Sequence, residues 1–497
     1  MSKRTASPGL GSLRSGGLTA ASLAIVAAIA AATGVVIARE FGRSEETDGL
    51  LAAYGVFVVI VIAAQSVRVA VLPQLAAAQR EARLAGEIAG AALALLAVAA
   101  PAIVLAELGA GTLAGVLTGA ESGVGHETAT EALRWMVPAA CAHLFAALAA
   151  SGLAALDDYG TAAFGFAAGS LAGFALILAR AEPDGIVAVA WGIALNGFVA
   201  MLVPTAGLAV RALRAQMPAR AARPTGPPLA ARLGAFAVAA SLPLALQLLY
   251  VVCLPFASRL GEGAATSFVY AYLAASSLVA ITATSLGLVT SVPLARAGLD
   301  SPGVARHVVA SSWLALALIG GAAGVIAVAG AVLVESVLGG AYGGEVGAEL
   351  GELIVVFAPW MVVAVGVSLT FPLTFVTGRT SRLPWIAVGM LLLQVPLAWL
   401  GTALLDLDGL ALALGVSTSV ALAALLGVLD ALGPSARGLA RAALNVVVFV
   451  AAAFLVPALV LGPWLAAAVG LAAYLAALAA FRPRGLKTSW GYLRAIS

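Results

Sequence analysis

Charge is what this sequence lacks most. Of its 497 residues, 10% are Asp, Glu, Lys or Arg and 62% are hydrophobic, with a mean hydropathy of +1.08. A soluble globular chain carries about 25% charged residues. A soluble fold of this length could not cover its surface with so little polar material, so the chain reads as a polytopic membrane protein whose solvent is mostly lipid. Lysine is nearly missing: Lys3 and Lys487 stand beside 24 arginines. Only two cysteines occur, Cys141 and Cys253, both inside apolar runs. That excludes a disulfide framework or a zinc-ligand spacing, and each reads as a small buried hydrophobe. Carboxylates are absent from the middle of the long apolar runs, which argues against a buried acid for a small cationic cargo. The segment 107–132, where His126 stands beside acids, is the one place a membrane enzyme could use, and it reads as a solvated connector. The chain is therefore not expected to be an enzyme, and no cofactor, metal or nucleic acid is expected.

What is present is a series of apolar runs close to the ~20 residues needed to cross a bilayer. Fourteen can be marked, beginning with 18–38 and 50–72 and ending with 384–405, 409–431, 441–461 and 463–481. None alternates with the period of a barrel strand, and backbone groups in hydrocarbon must pair within their own segment, so all are read as helices. The first run follows Lys3, Arg4 and Arg14 but is too long for a signal-peptide core, and a second span follows at once. It reads as an uncleaved first span.

The arginines orient the spans. With the N-terminus inside, 20 of the 26 basic residues fall on inner segments, and 17 of the 23 acids fall outside. The basic bias is the positive-inside pattern. It persists to the last residues, which supports an even number of spans and both termini in the cytoplasm. The longest inner loop, 211–232, is rich in arginine and proline and reads as a linker that can also touch anionic headgroups. A multi-pass monomer of the bacterial cytoplasmic membrane is expected, with bilayer lipids as its surroundings.

The chain also repeats itself. At an offset of 219, Ala38 falls on Ala257, Gly42 on Gly261, Thr47 on Thr266 and Ala52 on Ala271, with Phe41 opposite Leu260. Pro73 and Pro293 match one residue later. Each copy runs from the end of one span, through a short outer turn, down the next span to a proline at the inner face. Six spans separate the copies, so both point the same way, as in transporters built from parallel repeats. Two such halves, rocking against each other, would open a space between them to alternate sides. The first copy, "AREFGRSEETDG" (38–49), is heavily charged; the second, "ASRLGEGAATSF" (257–268), is not.

These segments resemble a known family. The spacing in "ARxFG…TDxxxxAY…P" over the first two spans, with "ALAASGLAALDDYGTAAF" (147–164), "LPFASRLGEGAATSFVYAY" (254–272), "FVTGRTSRLPW" (375–385) and "DGLALALGVSTS" (408–419), is similar to the MurJ/MviN-type lipid II flippases of the MOP superfamily. The resemblance runs from Leu18 to about Leu432. It implies an all-α membrane protein of fourteen helices: two like-oriented six-helix lobes plus two C-terminal helices. The expected division is an inner N-terminal tail (1–17), an N-lobe (18–210), a basic linker (211–232), a C-lobe (233–432), spans 13 and 14 (433–481) and a basic inner tail (482–497). It implies movement of a lipid-linked, anionic sugar precursor for the cell wall from the inner to the outer leaflet, through a cavity lined by arginines. Those family arginines fall here on Ala27, Thr33, Val59 or Ile60, and Leu273, and the acid paired with one of them falls on Gly34. Arg39 and Asp48 remain of the family's turn residues.

Ionisable residues near the hydrocarbon mark candidate sites. Arg68 lies about one turn before Pro73; its stem can carry the guanidinium to the inner interface, or its planar fork can clamp a phosphate. Span eight is rich in hydroxyls, which either glue helices together or, at Tyr270, Tyr272 and Ser276 with Gln247 and Tyr250 of span seven, line a neutral cavity suited to sugar. The candidate substrate-binding set is therefore Arg39, Asp48, Arg68, Gln247, Tyr250, Tyr270, Tyr272 and Ser276. Gln65, Asn196 and Gln394 are weaker candidates, and His143 reads as a core histidine.

Overall fold

The computed structural model describes residues 10–214, 227–297, 301–481 and 486–487. The tail 1–9, most of the expected linker and most of the C-terminal tail lie outside the described residues, as do the side chains of Gln65, Pro73 and Pro293. Everything regular among the described residues is helical: α1 (Leu10–Phe41), α2 (Glu45–Arg80), α3 (Leu84–Thr118), α4 (Val124–Ala155), α5 (Tyr159–Asp184), α6 (Val187–Arg214) and α7 (Leu229–Ala257), then α8 (Ala264–Ala297), α9 (Ser301–Leu338), α10 (Glu345–Val356), α11 (Ala358–Val376), α12 (Leu383–Val428), α13 (Leu432–Val460) and α14 (Pro463–Phe481). Thirteen helices among the described residues are long and apolar enough to cross a membrane. One of them, α12, makes two crossings. Its backbone leaves helical geometry at Leu405 and Asp406, and the backbones of Gly401 and Gly409 then touch. Residues eight apart in a continuous helix are separated by about 12 Å along its axis, so the chain reverses there. This is the expected pair 384–405 and 409–431, and it brings the crossings to fourteen. The short α10 joins α11 across Phe357 to make a single crossing.

The chain divides into two compact units, Met1–Gln247 and Leu248–Ser497. The boundary between the units falls inside α7. In the first unit α4 is the central helix, packed against α2, α3 and α6. Small residues let the backbones of its neighbours close in: a Cβ on Gly169 of α5 would stand 2.7 Å from the Asn196 carbonyl of α6. Such small-residue seams are how helices associate where lipid is as apolar as leucine. In the second unit α9 is flanked by α10, α11, α13 and α14. The C-terminal pair is fixed to it by the Tyr474 hydroxyl, which donates to the Ala317 carbonyl at 2.8 Å, and by the Phe454 ring, seated against Gly324 and Gly470.

The repeat is written in the backbone. Residues with positive φ recur at offsets of 219 to 221: Gly42 with Gly261, Gly119 with Gly339, Gly123 with Gly344, Asp157 with Gly378, and Gly185 with Asp406. The four matches read from the sequence hold too: Ala38, Ala257, Thr47, Thr266, Ala52 and Ala271 are all fully buried, and Gly42 and Gly261 both occupy the positive-φ turn. Pro138, inside the unbroken α4, stands 221 residues before Pro359, which opens α11.

Candidate functional site

The charges that distinguish the first copy of the outer turn sit on helix ends. Arg39 is exposed in the last turn of α1, and Glu45, Glu46 and Asp48 occupy the first turn of α2. Cations at a C-terminus and anions at an N-terminus complement the helix dipoles. Ser44 caps α2 by accepting a hydrogen bond from the Thr47 amide at 3.2 Å. The second copy turns through a short 3-10 stretch, Ser258–Leu260, with positive φ at Gly261 and Gly263, and has no acid in the first turn of α8. Arg39 and Asp48 therefore lie at the rim of the first unit, and Arg68 lies half-buried on α2.

The candidate set of spans seven and eight lies within the packing of the second unit, apart from Gln247, which ends the first. Tyr250, Tyr270 and Tyr272 are buried, and Tyr250 and Tyr272 stack at 4.1 Å between ring centres. Phe268, Phe357 and Trp360 complete an aromatic core in the second unit, and Tyr270 meets Tyr342 edge-on at 5.6 Å. Gln247 is buried at the end of the first unit. The Ser276 hydroxyl donates to the Leu273 carbonyl of its own helix at 3.1 Å. Gln394 is fully buried; its side-chain amide donates to Cys253 Sγ at 3.1 Å. His143 packs edge-on against Phe57, as a core histidine. Among the described residues no group of His, Cys, Asp or Glu is arranged to hold a metal ion.

Beside the exposed Arg83–Glu81 pair, three ion pairs tie separate elements together at the ends that the arginine pattern assigns to the inside. One is buried. Arg232, in the first turn of α7, makes a two-pronged contact with Glu87 of α3 at 2.6 and 2.9 Å, and its Nε donates to the Pro227 carbonyl at 3.2 Å. Gly90 faces the guanidinium, where a Cβ would lie 2.9 Å from Nη2. The other two are related by the repeat. The α4–α5 turn ends in a paired capping pattern, Asp158 N to Leu153 O at 2.9 Å and Asp157 N to Ala154 O at 3.1 Å. The turn after α11 repeats it, with Arg379 N to Thr374 O and Gly378 N to Phe375 O. Asp158 is then gripped by Arg211 at the end of α6, at 2.8 Å, while Arg379 grips Asp430 after α12, at 2.6 Å. The clasp is the same and its polarity is reversed. Burial opposes the charge on Asp158, but the Thr161 amide and hydroxyl and the Arg211 guanidinium outweigh it and hold the carboxyl below its ordinary range. None of these pairs was singled out in the sequence, although matching residues 157–158 to 378–379 at the repeat offset would have pointed to two of them.

At the opposite ends of the first unit, a cleft of about 390 Å³ opens on the first three turns of α4, lined by His126, Glu127, Thr130, Glu131, Arg134 and Trp135. His126 Nε2 meets the Gly111 carbonyl of α3 at 2.9 Å, which fixes the cleft's floor.

No protein-family model matches the sequence, and no curated protein matches it. Solved structures do. A lipid II flippase MurJ in an inward closed conformation superposes with a TM-score of 0.71 at 14% identity, covering 94% of this chain and 99% of that one. An inward-facing multidrug resistance MATE family transporter of the MOP superfamily gives 0.63 at 15%, covering 83% and 94%. A MOP superfamily transporter from Pyrococcus furiosus, described as having a binding pocket of reverse polarity, gives 0.55 at 15%, covering 85% and 94%. At these identities the likeness is one of fold: the chain has the all-helical architecture seen in MurJ and in the MATE structures of the MOP superfamily.

Proposed function

We propose that the protein is an alternating-access transporter that carries a lipid-linked glycan, of the kind used to build cell walls, from the inner to the outer leaflet. The observation that carries this reading is the extent of the likeness to the MurJ structure. It takes in 94% of the chain, whereas the MATE match spans 83%. The parallel repeat supports it, because two equivalent units are what alternating access uses. Arg39, Asp48 and Arg68 are the charged groups of the first unit best placed to meet a polar headgroup. The aromatic set around Tyr250 and Tyr272 serves in this reading as the rigid core of its unit, not as the sugar platform.

The test is reconstitution in liposomes with fluorescent lipid-linked sugars and a quencher outside. Accelerated, saturable exposure of label relative to empty liposomes is expected. Acceleration for no headgroup, with the protein folded and correctly inserted, overturns the proposal.

A second reading has its own observation. The positions that carry arginines in the family this chain resembles hold Ala27, Thr33 and Leu273 here. A membrane scaffold that has lost its cargo would show this, and it predicts that substitutions at Arg68 and Arg39 leave the cellular phenotype unchanged.

A further inference from the structure

We propose that the cleft on the outer turns of α4 is a carbohydrate-binding site. This deepens the transport reading by placing a sugar subsite on the side where a flipped headgroup emerges.

Three charged side chains stand in this cleft uncommitted. Glu127, Glu131 and Arg134 make no ion pair or side-chain hydrogen bond among the described residues, although they share one face of one helix. Four arginines elsewhere do grip a carboxylate: Arg232 with Glu87, Arg211 with Asp158, Arg379 with Asp430 and Arg180 with Asp184. Their neighbours supply a frame instead of competing for them. The Thr130 hydroxyl donates to the His126 carbonyl at 2.8 Å, and the His126 ring is held at Gly111. Trp135 is 46% exposed, and its ring is steadied edge-to-face by Trp191 at 6.5 Å.

The chemistry selects a neutral polyol. An indole face packs against the C–H face of a pyranose. Carboxylates accept from its hydroxyls, and a guanidinium donates to them with fixed geometry. Two carboxylates beside one guanidinium leave a net negative site, which disfavours a free phosphate. The volume of about 390 Å³ falls within the ~300–1,000 Å³ of small-molecule sites, room for one or two sugar rings.

The experiment uses the full-length protein in lipid nanodiscs, free of sugar-bearing detergent. N-acetylglucosamine and glucose are titrated and read by saturation-transfer NMR and tryptophan fluorescence, with choline and inorganic phosphate as competing probes. Saturable sugar binding with a Kd of about 1 mM is expected. Trp135→Ala should abolish it, Trp135→Phe should retain part of it, and Glu131→Gln should weaken it at least tenfold. Thermal unfolding identifies any variant that does not fold; Glu131→Gln, on an exposed surface, keeps the test available if Trp135→Ala fails. The proposal is overturned by no saturable sugar binding, by sugar binding that survives Trp135→Ala, or by choline or phosphate binding in preference to sugar. Binding here without flipping in liposomes would sink the transport reading and leave the cleft standing; flipping without binding would do the reverse.

Discussion

Breaking the Glu87–Arg232 pair should be the most destabilising single change in the first unit, and removing both charges should be harmless. The two side chains are only 6% and 4% exposed, so each charge has traded its water for the other. Truncating one partner leaves the other buried and uncompensated, at a cost of about 3–5 kcal/mol. Replacing the pair with apolar residues of similar volume removes the attraction and both desolvation penalties together, and the result is neutral or more stable by up to about 4 kcal/mol. Glu87→Leu and Arg232→Met should each lower the thermal midpoint of the full-length protein in nanodiscs, while the double variant returns to the parent value or exceeds it. Gly90→Ala offers an independent perturbation, since its methyl would press on Nη2 from 2.9 Å, and its penalty should disappear in the Arg232→Met background. The measurement is a double-mutant cycle by thermal or denaturant unfolding. If either single variant is as stable as the parent, or if the double variant loses the sum of the two single losses, the buried-charge reasoning is wrong.

The paired clasps make a softer set of predictions. Asp158 is held below its ordinary carboxylate range, so its contribution is present above about pH 4 and fades as the pH falls through its lower native value. The parent and Asp158→Asn should therefore differ in stability at neutral pH and converge in acid, as unfolding at a series of pH values would reveal; a difference that grows in acid refutes this. Because Arg379 and Asp430 form the same clasp with signs exchanged, Asp158→Arg with Arg211→Asp should recover the ion-pair part of the loss, while the Thr161 cap on Asp158 stays lost. These exposed-side pairs are worth only about 0.2–1 kcal/mol, so the recovery is best read by a mutant cycle. At Asp406, with φ of 50° and ψ of −127°, glycine removes a backbone strain of about 1–3 kcal/mol, and Asp406→Gly should raise stability unless the carboxylate has a role of its own. Tyr474→Phe deletes the bond to Ala317 and should cost about 1 kcal/mol, loosening α13 and α14 from α9 as seen in hydrogen exchange.

The spans were legible because hydrocarbon imposes one rule on twenty residues at a time. The double crossing of α12 is an instance: "LLDLDG" (404–409) interrupts the apolar pattern where the backbone turns. The repeat was legible at four residues because those positions are either fully buried or hold a positive φ, and few residue types satisfy either demand. The packing of the aromatic set of spans seven and eight was not legible, for a reason of the same kind. Periodicity puts Tyr250 and Tyr272 on helix faces but does not say which face meets a neighbour, and a hydroxyl at its edge does not stop a ring from stacking. The buried pair escaped notice because Glu87 and Arg232 are 145 residues apart. Each, seen singly, looks like an interfacial charge at the end of a span.

Loops ordinarily absorb insertions. Here the left-handed positions from Gly42 to Gly185 and those from Gly261 to Asp406 keep step within two residues across the intervening helices and turns. One of those steps falls in the α3–α4 turn, where Gly119 and Gly123 stand four residues apart and Gly339 and Gly344 five; beyond it the spacing of the matched positions is identical in the two copies. A short epitope tag therefore belongs at the α3–α4 turn, a connection whose length already differs between the two copies.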